Sequence, residues 1–345
     1  MSNFNVSNAA TINNVTTAFS DLVALSLPDL KKDVITAHHA ATQFSGRGLY
    51  QTTNSYAARF PASLTMTSSY HTPGTRLLGN STPPPRNFRD VYLDDRLVSH
   101  IFMDELDSSA RSIIPFQNIF GQEMGHAIGQ PDDINCAIIA VLAARASATV
   151  SGGPTGTQIT KADCNVNVGA LMAAMWDMKN GMDEKNVSGL NRTLILRPAQ
   201  YNLLLAATDR IIHRDLGQGG SIGGNPVIPP FAGFSNIEMS NNIPSTNISS
   251  SATGTRNTYA GDFTKTVGVA FAPGAFGTVT STAGLAMGGG QTPTPVGPGQ
   301  TGAQLMPINV KPIEMPDAFG TLYVSSLIIG HGILDPLKAG EIKLP

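Results

Sequence analysis

Residues 108–147 constrain this chain more than any other stretch. Apolar residues recur there at Ile113, Phe116, Phe120, Met124, Ala127, Ile134, Ile138, Val141 and Leu142. This is one stripe at helical period, held for longer than an ordinary globular helix requires. Pro131 stands inside it, within Gln130-Pro131-Asp132-Asp133. A proline removes a backbone donor and clashes with the preceding turn, at a cost of about 3 kcal/mol. Ala127 and Ile134 are nevertheless about two turns apart, so the stripe keeps its phase across the proline. The pattern predicts one long helix with a kink or short interruption at residues 129–131, and a large surface for it to lie along.

Composition suggests what that surface belongs to. Charged residues are 13% of the 345, against about 25% for a typical soluble domain. A surface that stays in water needs charge. Interface centres are depleted of Lys, Glu and Asp, so a protein that covers itself with its own copies needs less. The competing reading is a loop-rich monomer solvated by hydroxyls and amides. The length suggests about two domains. A net charge of −2 supplies no basic field for tight nucleic-acid binding. Cys136 and Cys164 give neither a disulfide framework nor a zinc spacing, and Cys136 reads as a small apolar residue of the long helix. No apolar run approaches a membrane span and no signal-peptide core is evident, so the expectation is a soluble protein made in a reducing cytoplasm.

Residues 1–20 read as a flexible Asn/Ser/Thr-rich arm. A helix follows, opened by Ser26, Pro28 and Asp29, with Leu30, Val34, Ala37, Ala41 and Phe44 on one face. His38-His39 on it is a solvated surface pair. Residues 45–90 carry β character at 56–60 and 64–70, a turn at Pro73-Gly74 and a stiff Pro83-Pro84-Pro85. With little core material, this is a projecting β-arm, which gains stability by lying on a neighbouring subunit. A strand at 98–103 leads into the long helix. After a Gly/Thr-rich link at 151–160, an α/β pattern begins. It comprises a helix at 168–179 with Leu171, Met172, Met175 and Trp176 as core, a strand at 193–196, a helix at 198–207, a strand beginning at Val227-Ile228 and another at 234–239. Residues 246–307 hold three charges, Arg256, Asp262 and Lys265, with strands at 266–271 and 277–280 and a Gly/Pro/Thr-rich insertion at 281–307. Its Gly288-Gly289-Gly290 lacks the strand–loop–helix context of a phosphate loop. Residues 308–344 are again β-rich, most clearly at 321–329.

Candidate chemistry is thin. Glu123 and His126 share a helix face at i and i+3, the spacing of di-iron bundle ligands, yet the second Glu-x-x-His and two further glutamates such a site needs are absent. Asp94-Asp95 and Asp132-Asp133 could act as paired acids. Adjacent acids more often serve as caps and solvated turns, and Asp132-Asp133 suits the first turn of a helix restarting after Pro131. Gly330-His331-Gly332 reads as a turn after a strand.

Several segments, in order, match one known pattern. Asp33-Val34-Ile35-Thr36-Ala37 suits the helix after an N-terminal arm. Ala58-Arg59-Phe60-Pro61 and Tyr70-His71-Thr72-Pro73-Gly74 suit an extended loop. Leu93-Asp94-Asp95 and the strand behind it lead into the long helix. Residues 194–204, with Pro198 and Tyr201, suit a strand–helix unit. His213-Arg214-Asp215-Leu216-Gly217, Ala232-Gly233-Phe234 and Ser240-Asn241-Asn242-Ile243-Pro244 follow, and then Gly330-His331-Gly332-Ile333-Leu334 with Pro336 and Ala339-Gly340. Together they resemble the major capsid protein of short-tailed bacteriophages, of podovirus and cyanophage-like type, with the HK97-like fold. Pro131 and the 281–307 insertion depart from that pattern.

The resemblance implies an α+β chain divided into six parts. These are an N-terminal arm and short helix (1–44), an E-loop β-hairpin (45–92), a peripheral domain with spine helix and β-sheet (93–160), an axial domain (161–245), a strand segment with the inserted loop (246–307), and C-terminal strands of the peripheral domain (308–345). It implies a non-enzymatic structural subunit, without cofactor or metal. Hexamers and pentamers would build an icosahedral head around weakly contacted double-stranded DNA, in the virion capsid and assembled in the host bacterial cytoplasm. Scaffolding, portal and decoration proteins are the implied partners, with no membrane. No Lys/Asn pair stands out for crosslinking, so the implied shell is non-covalent. Arg59, Phe60, Tyr70 and Arg76 on the β-arm are the expected inter-subunit contacts. The shell of an encapsulin-like nanocompartment has the same fold, and a metal-dependent enzyme using Glu123 and His126 is the alternative from another class.

Overall fold

A computed structural model describes residues 48–52, 57–61, 70–74, 88–93, 95–104, 116–147, 155–206, 228, 230–249, 259–281 and 308–345. The chain forms two compact units, each discontinuous in sequence. The first comprises Met1–Thr42, Arg96–Asp132 and Thr282–Ile328, and the second Gln43–Asp95, Asp133–Ser281 and Ile329–Pro345.

The second unit is built on a five-stranded mixed sheet. Its strands, in spatial order, are β5 (Thr157–Thr160), β14 (Ala339–Lys343), β10 (Thr266–Phe271), β6 (Thr193–Leu196) and β7 (Asn236–Met239). β10 runs antiparallel to both β6 and β14, while β14 pairs parallel with β5 and β6 parallel with β7. Every residue of β6 and of β10 is buried. Period-two alternation explains why. Leu194, Leu196, Ala270 and Ile342 face a core with Leu171, Met175 and Met178 of helix α2 (Val168–Glu184) and Leu204 of α3 (Pro198–Ala206). Ile195, Val269, Phe271 and Ala339 face a second core with residues 136–144 of the long helix α1 (Phe116–Arg145). A layer of helix on each face leaves no polar side to the strands.

α1 is continuous through Pro131. Its C-terminal half, Cys136 to Ala144, is buried all round except for the half-buried Leu142. Its earlier half buries Gly121, Met124, Gly125, Ile128, Gly129 and Asp132, while Ala127 is exposed. The inward face is therefore shifted by one residue from the expected stripe at that point. Half of this face is glycine, which carries no apolar signal. α2 is longer than the expected 168–179, and Asn167 caps it through a side-chain bond to the Gly169 N–H (2.8 Å). Leu171 and Met175 are core as expected, but Trp176 is 44% exposed, its ring edge-on to Phe231 at 5.6 Å. Trp176 lies at the edge of the buried face formed by Leu171, Ala174, Met175, Met178 and Met182. Ile228 starts no strand; it is buried, and its N–H donates to the Tyr201 hydroxyl (3.2 Å). The link at 151–160 ends in β5, a polar strand stabilised by its parallel neighbour β14.

The second unit also holds β1 (Gly48–Thr52), parallel to β11 (Phe276–Ser281), an antiparallel ribbon of β2 (Ala57–Pro61) and β3 (Phe88–Tyr92), and a short antiparallel pair of β8 (Asn247–Ile248) and β9 (Gly261–Asp262). β11 pairs with Ile329 to Ile333 of β13 (Gly320–Ile333). In the first unit, residues 320–326 of β13 pair antiparallel with β12 (Asn309–Met315), and β4 (Asp95–Asp104) also pairs with β13. The mixed sheet draws its strands from 157–160, 193–196, 236–239, 266–271 and 339–343. The 1–20 arm, the 28–44 helix, the second arm strand at 64–69, the Pro83-Pro84-Pro85 run, the helix start at 108–115, Arg256 and most of the 281–307 insertion lie outside the described residues.

Candidate assembly surface

The β2–β3 arm places its residues by strand alternation. Ala58 and Phe60 face inward on Val91, Leu93, Val279 and Leu334. Arg59 points the other way, its side chain 65% exposed, and stands directly opposite Asp90 across the pair. Two parallel bonds join them, from Nε to Oδ1 at 2.8 Å and from Nη2 to Oδ2 at 3.0 Å. The guanidinium also lies 5.5 Å from the centroid of the Phe88 ring, itself exposed. The hydrogen bond raises the Arg59 pKa and holds the Asp90 carboxyl below its usual value. The arm's outer face is thus a rigid, planar cation flanked by an aromatic ring, a combination common at interface anchors. Tyr70 is fully exposed beside the Pro73-Gly74 turn, where Gly74 takes a φ of +90°. Of the four expected contacts, Arg59 and Tyr70 face outward, Phe60 packs on its own subunit, and Arg76 lies outside the described residues.

Behind the arm, Asp95 is buried at the start of β4, not in a solvated turn. The Tyr259 hydroxyl donates to Asp95 Oδ2 and accepts the His331 N–H (3.2 Å), and His331 Nδ1 meets Thr278 Oγ1 at 2.9 Å. His331 is therefore a buried residue inside β13, not a turn. Strand pairing with β11 carries the glycines on either side of it. Asp132 and Asp133 are likewise wholly buried in mid-helix, because Pro131 does not end α1. Asp133 Oδ2 accepts from Asn242 Nδ2 at 2.7 Å, within the Ser240-Asn241-Asn242 run.

Sequence reading passed over Arg145. From the last turn of α1, its Nε and Nη2 donate to the two oxygens of Glu341 at 2.6 Å each, and Nη1 donates to the Asp262 carbonyl at 2.6 Å. Glu341 is completely buried and also accepts from Thr266 Oγ1 at 2.7 Å. The hydrogen bond to Glu341 raises the Arg145 pKa. Its position at a helix C-terminus was the available signal, since cations are favoured there. Glu123 and His126 are both exposed, and among the described residues no group of three or more His, Cys, Asp or Glu could hold a metal ion. None of the described helices is long and apolar enough to cross a membrane.

The sequence profile of the Gp10A-like family, described as major capsid protein, matches residues 59–343. No curated protein matches the chain. Among solved structures, the capsid of cyanophage P-SCSP1u is similar, with a TM-score of 0.69 and 27% identity, over 87% of this chain and 86% of that one. The mature capsid of bacteriophage PhiM1 gives 0.65 at 18% identity, over 88% and 87%. Mycobacterium phage Che8 gives 0.56 at 13% identity, over 84% and 85%. The buried mixed sheet, the uninterrupted α1 and the β2–β3 arm are thus parts of an HK97-like capsid fold. The chain belongs to the Gp10A-like major capsid protein family, and it is a structural shell subunit of a tailed-phage head.

Proposed function

We propose that this subunit assembles as hexamers and pentamers into an icosahedral head around double-stranded DNA, and that Arg59 and Tyr70 of the arm contact a neighbouring copy. One observation carries the second statement. The Arg59–Asp90–Phe88 face is ordered by the subunit's own chemistry yet left open to solvent, and Tyr70 is fully exposed. A surface ion pair by itself stabilises the subunit little. Its fixed geometry is useful to a partner. Phe60 and Arg76 complete the proposed arm contact, Phe60 by holding the ribbon on its own core.

The role is structural, without catalysis or cofactor. The net charge of −2 suits an inner face that contains DNA without gripping it, since strong cationic binding would oppose packaging and ejection. Assembly in the bacterial cytoplasm, with scaffolding and portal proteins and a decoration protein as partners, completes the reading. The parts bounded at residues 44, 92, 160, 245 and 307 serve as arm, E-loop, peripheral domain, axial domain, insertion and closing strands. Negative-stain microscopy of the expressed chain tests the assembly, and uniform shells are expected. Arg59→Glu places a second acid beside Asp90, and shell yield is expected to fall about tenfold. Unchanged yield would remove the arm from the interface.

A further inference from the structure

A second exposed feature lies in the first unit, where β12 and β13 meet. Residues 316–319 join the strands. Pro316–Ala318 make one 3-10 turn, and Phe319 follows with φ 46° and ψ 52°. That is the left-handed helical region, which bulky side chains rarely occupy and which glycine would occupy without strain. Yet the chain keeps a phenylalanine there, 74% exposed. The next residue locks the turn. A Cβ on Gly320 would fall on the Met103 carbonyl oxygen and the Phe102 ring, so only glycine lets β13 approach β4 so closely. Phe102, Ile313 and Met315 are exposed at the same end of the sheet, the last two on one side of β12.

The strain gives the subunit no packing in return, since the ring points into solvent. Backbone outliers of this kind persist where function uses them. A turn that fixes the backbone presents the ring in a set direction, and an aromatic side chain with only two χ angles loses little freedom on docking. We propose that Phe319 is an anchor that seats in an apolar pocket on a second copy of this chain.

The inference rests on the reading of the protein as a self-assembling shell subunit. The choice of occupant follows from what surrounds the ring. Among the described residues β12 is an edge strand, but Pro312, Lys311 and Glu314 make it a poor template for an added strand, so contact there is through side chains. Glu314 and Asp317 against the single Lys311 give this end of β12 a net negative charge, which disfavours DNA. A copy of the same charge-poor chain offers the apolar surface that Phe319, Met315 and Ile313 need.

The test places p-benzoylphenylalanine at position 319 of the full-length chain and irradiates assembled shells. The expected product is an adduct between two copies of this chain. An adduct to any other polypeptide, or none between chains, overturns the proposal. Phe319→Gly supplies the second measurement, because it relieves the backbone while deleting the ring. Its subunits are expected to fold as before, by circular dichroism, but to give about tenfold fewer shells, with Phe319→Tyr restoring most of the yield. Wild-type shell yield from Phe319→Gly sinks the anchor and leaves the shell reading standing. If the unmodified chain forms no shells at all, the shell reading fails first and the anchor with it.

Discussion

The innermost strands of the mixed sheet are apolar and wholly buried, whereas the strands of the β2–β3 arm and β12 carry charge and lie largely open. β6 and β10 have every side chain buried between two helical layers, and a buried ion pair, Arg145–Glu341, joins α1 to β14. β12 is exposed over Lys311 to Met315, and on the arm the ion pair of Arg59 with Asp90 lies open to water. One set of contacts determines whether a subunit folds. The other does little for folding, and its fixed geometry is what the proposed contact with a neighbour would use.

The largest expected effect lies on the buried side. Arg145→Ala strands the Glu341 carboxylate in the core, and denaturant unfolding of the unassembled subunit should show a loss of about 3–5 kcal/mol. Pairing Arg145→Met with Glu341→Leu should recover most of it. A single-variant loss below about 1 kcal/mol would mean that the clamp is not what separates the two regions. Tyr259→Phe comes next. It removes the hydroxyl that joins Asp95 to the His331 N–H, and about 1–2 kcal/mol should be lost in the same assay.

Acid titration gives the smallest effect and compares the regions directly. Hydrogen bonds from Lys179 and Arg192 hold the Asp183 carboxyl below its ordinary 3.8. A carboxyl depressed in the folded state contributes stability that is complete above the ordinary value and lost as pH falls through the lowered one. Asp90 is shifted in the same direction by Arg59. The difference is in the partner, because Arg192 is buried whereas Arg59 is solvated. Protonating Asp183 leaves the buried Arg192 guanidinium with the Ser188 and Val187 carbonyls but without its counter-charge. Asp183→Asn should therefore flatten the acid limb of the thermal melting profile more than Asp90→Asn. The reverse order would contradict the comparison.

What could be read in the sequence follows the same division. The 193–196, 266–271 and 198–206 elements were legible because residues buried on both faces form unbroken apolar runs or a proline-led helix start. The arm strand at 57–61 and the Pro73-Gly74 turn were legible through local chemistry. The first-half face of α1 was not, since three of its inward residues are Gly121, Gly125 and Gly129. The buried Asp95, Asp133 and His331 looked like solvated polar residues, because their partners Tyr259, Asn242 and Thr278 are remote in sequence. The proposed assembly surface draws on both kinds of signal. Arg59 and Tyr70 come from a recognisable arm, but the exposure of Phe319 depends on a backbone angle that no residue pattern signals.

The place of β14 in the mixed sheet has a consequence for how subunits are made. It lies between β5 and β10, the first of which precedes it by nearly the whole sheet in chain order. During translation, β5, β6, β7 and β10 leave the ribosome before the strand that joins β5 to the rest. A chain whose synthesis stops short of Ala339 keeps one edge of β10 unpaired and leaves Arg145 without its carboxylate. Interrupted products are then aggregation-prone fragments for proteases to remove. β14 is thus the last strand of this sheet to be synthesised although it is an interior one, and the Arg145 clamp closes only when it is in place.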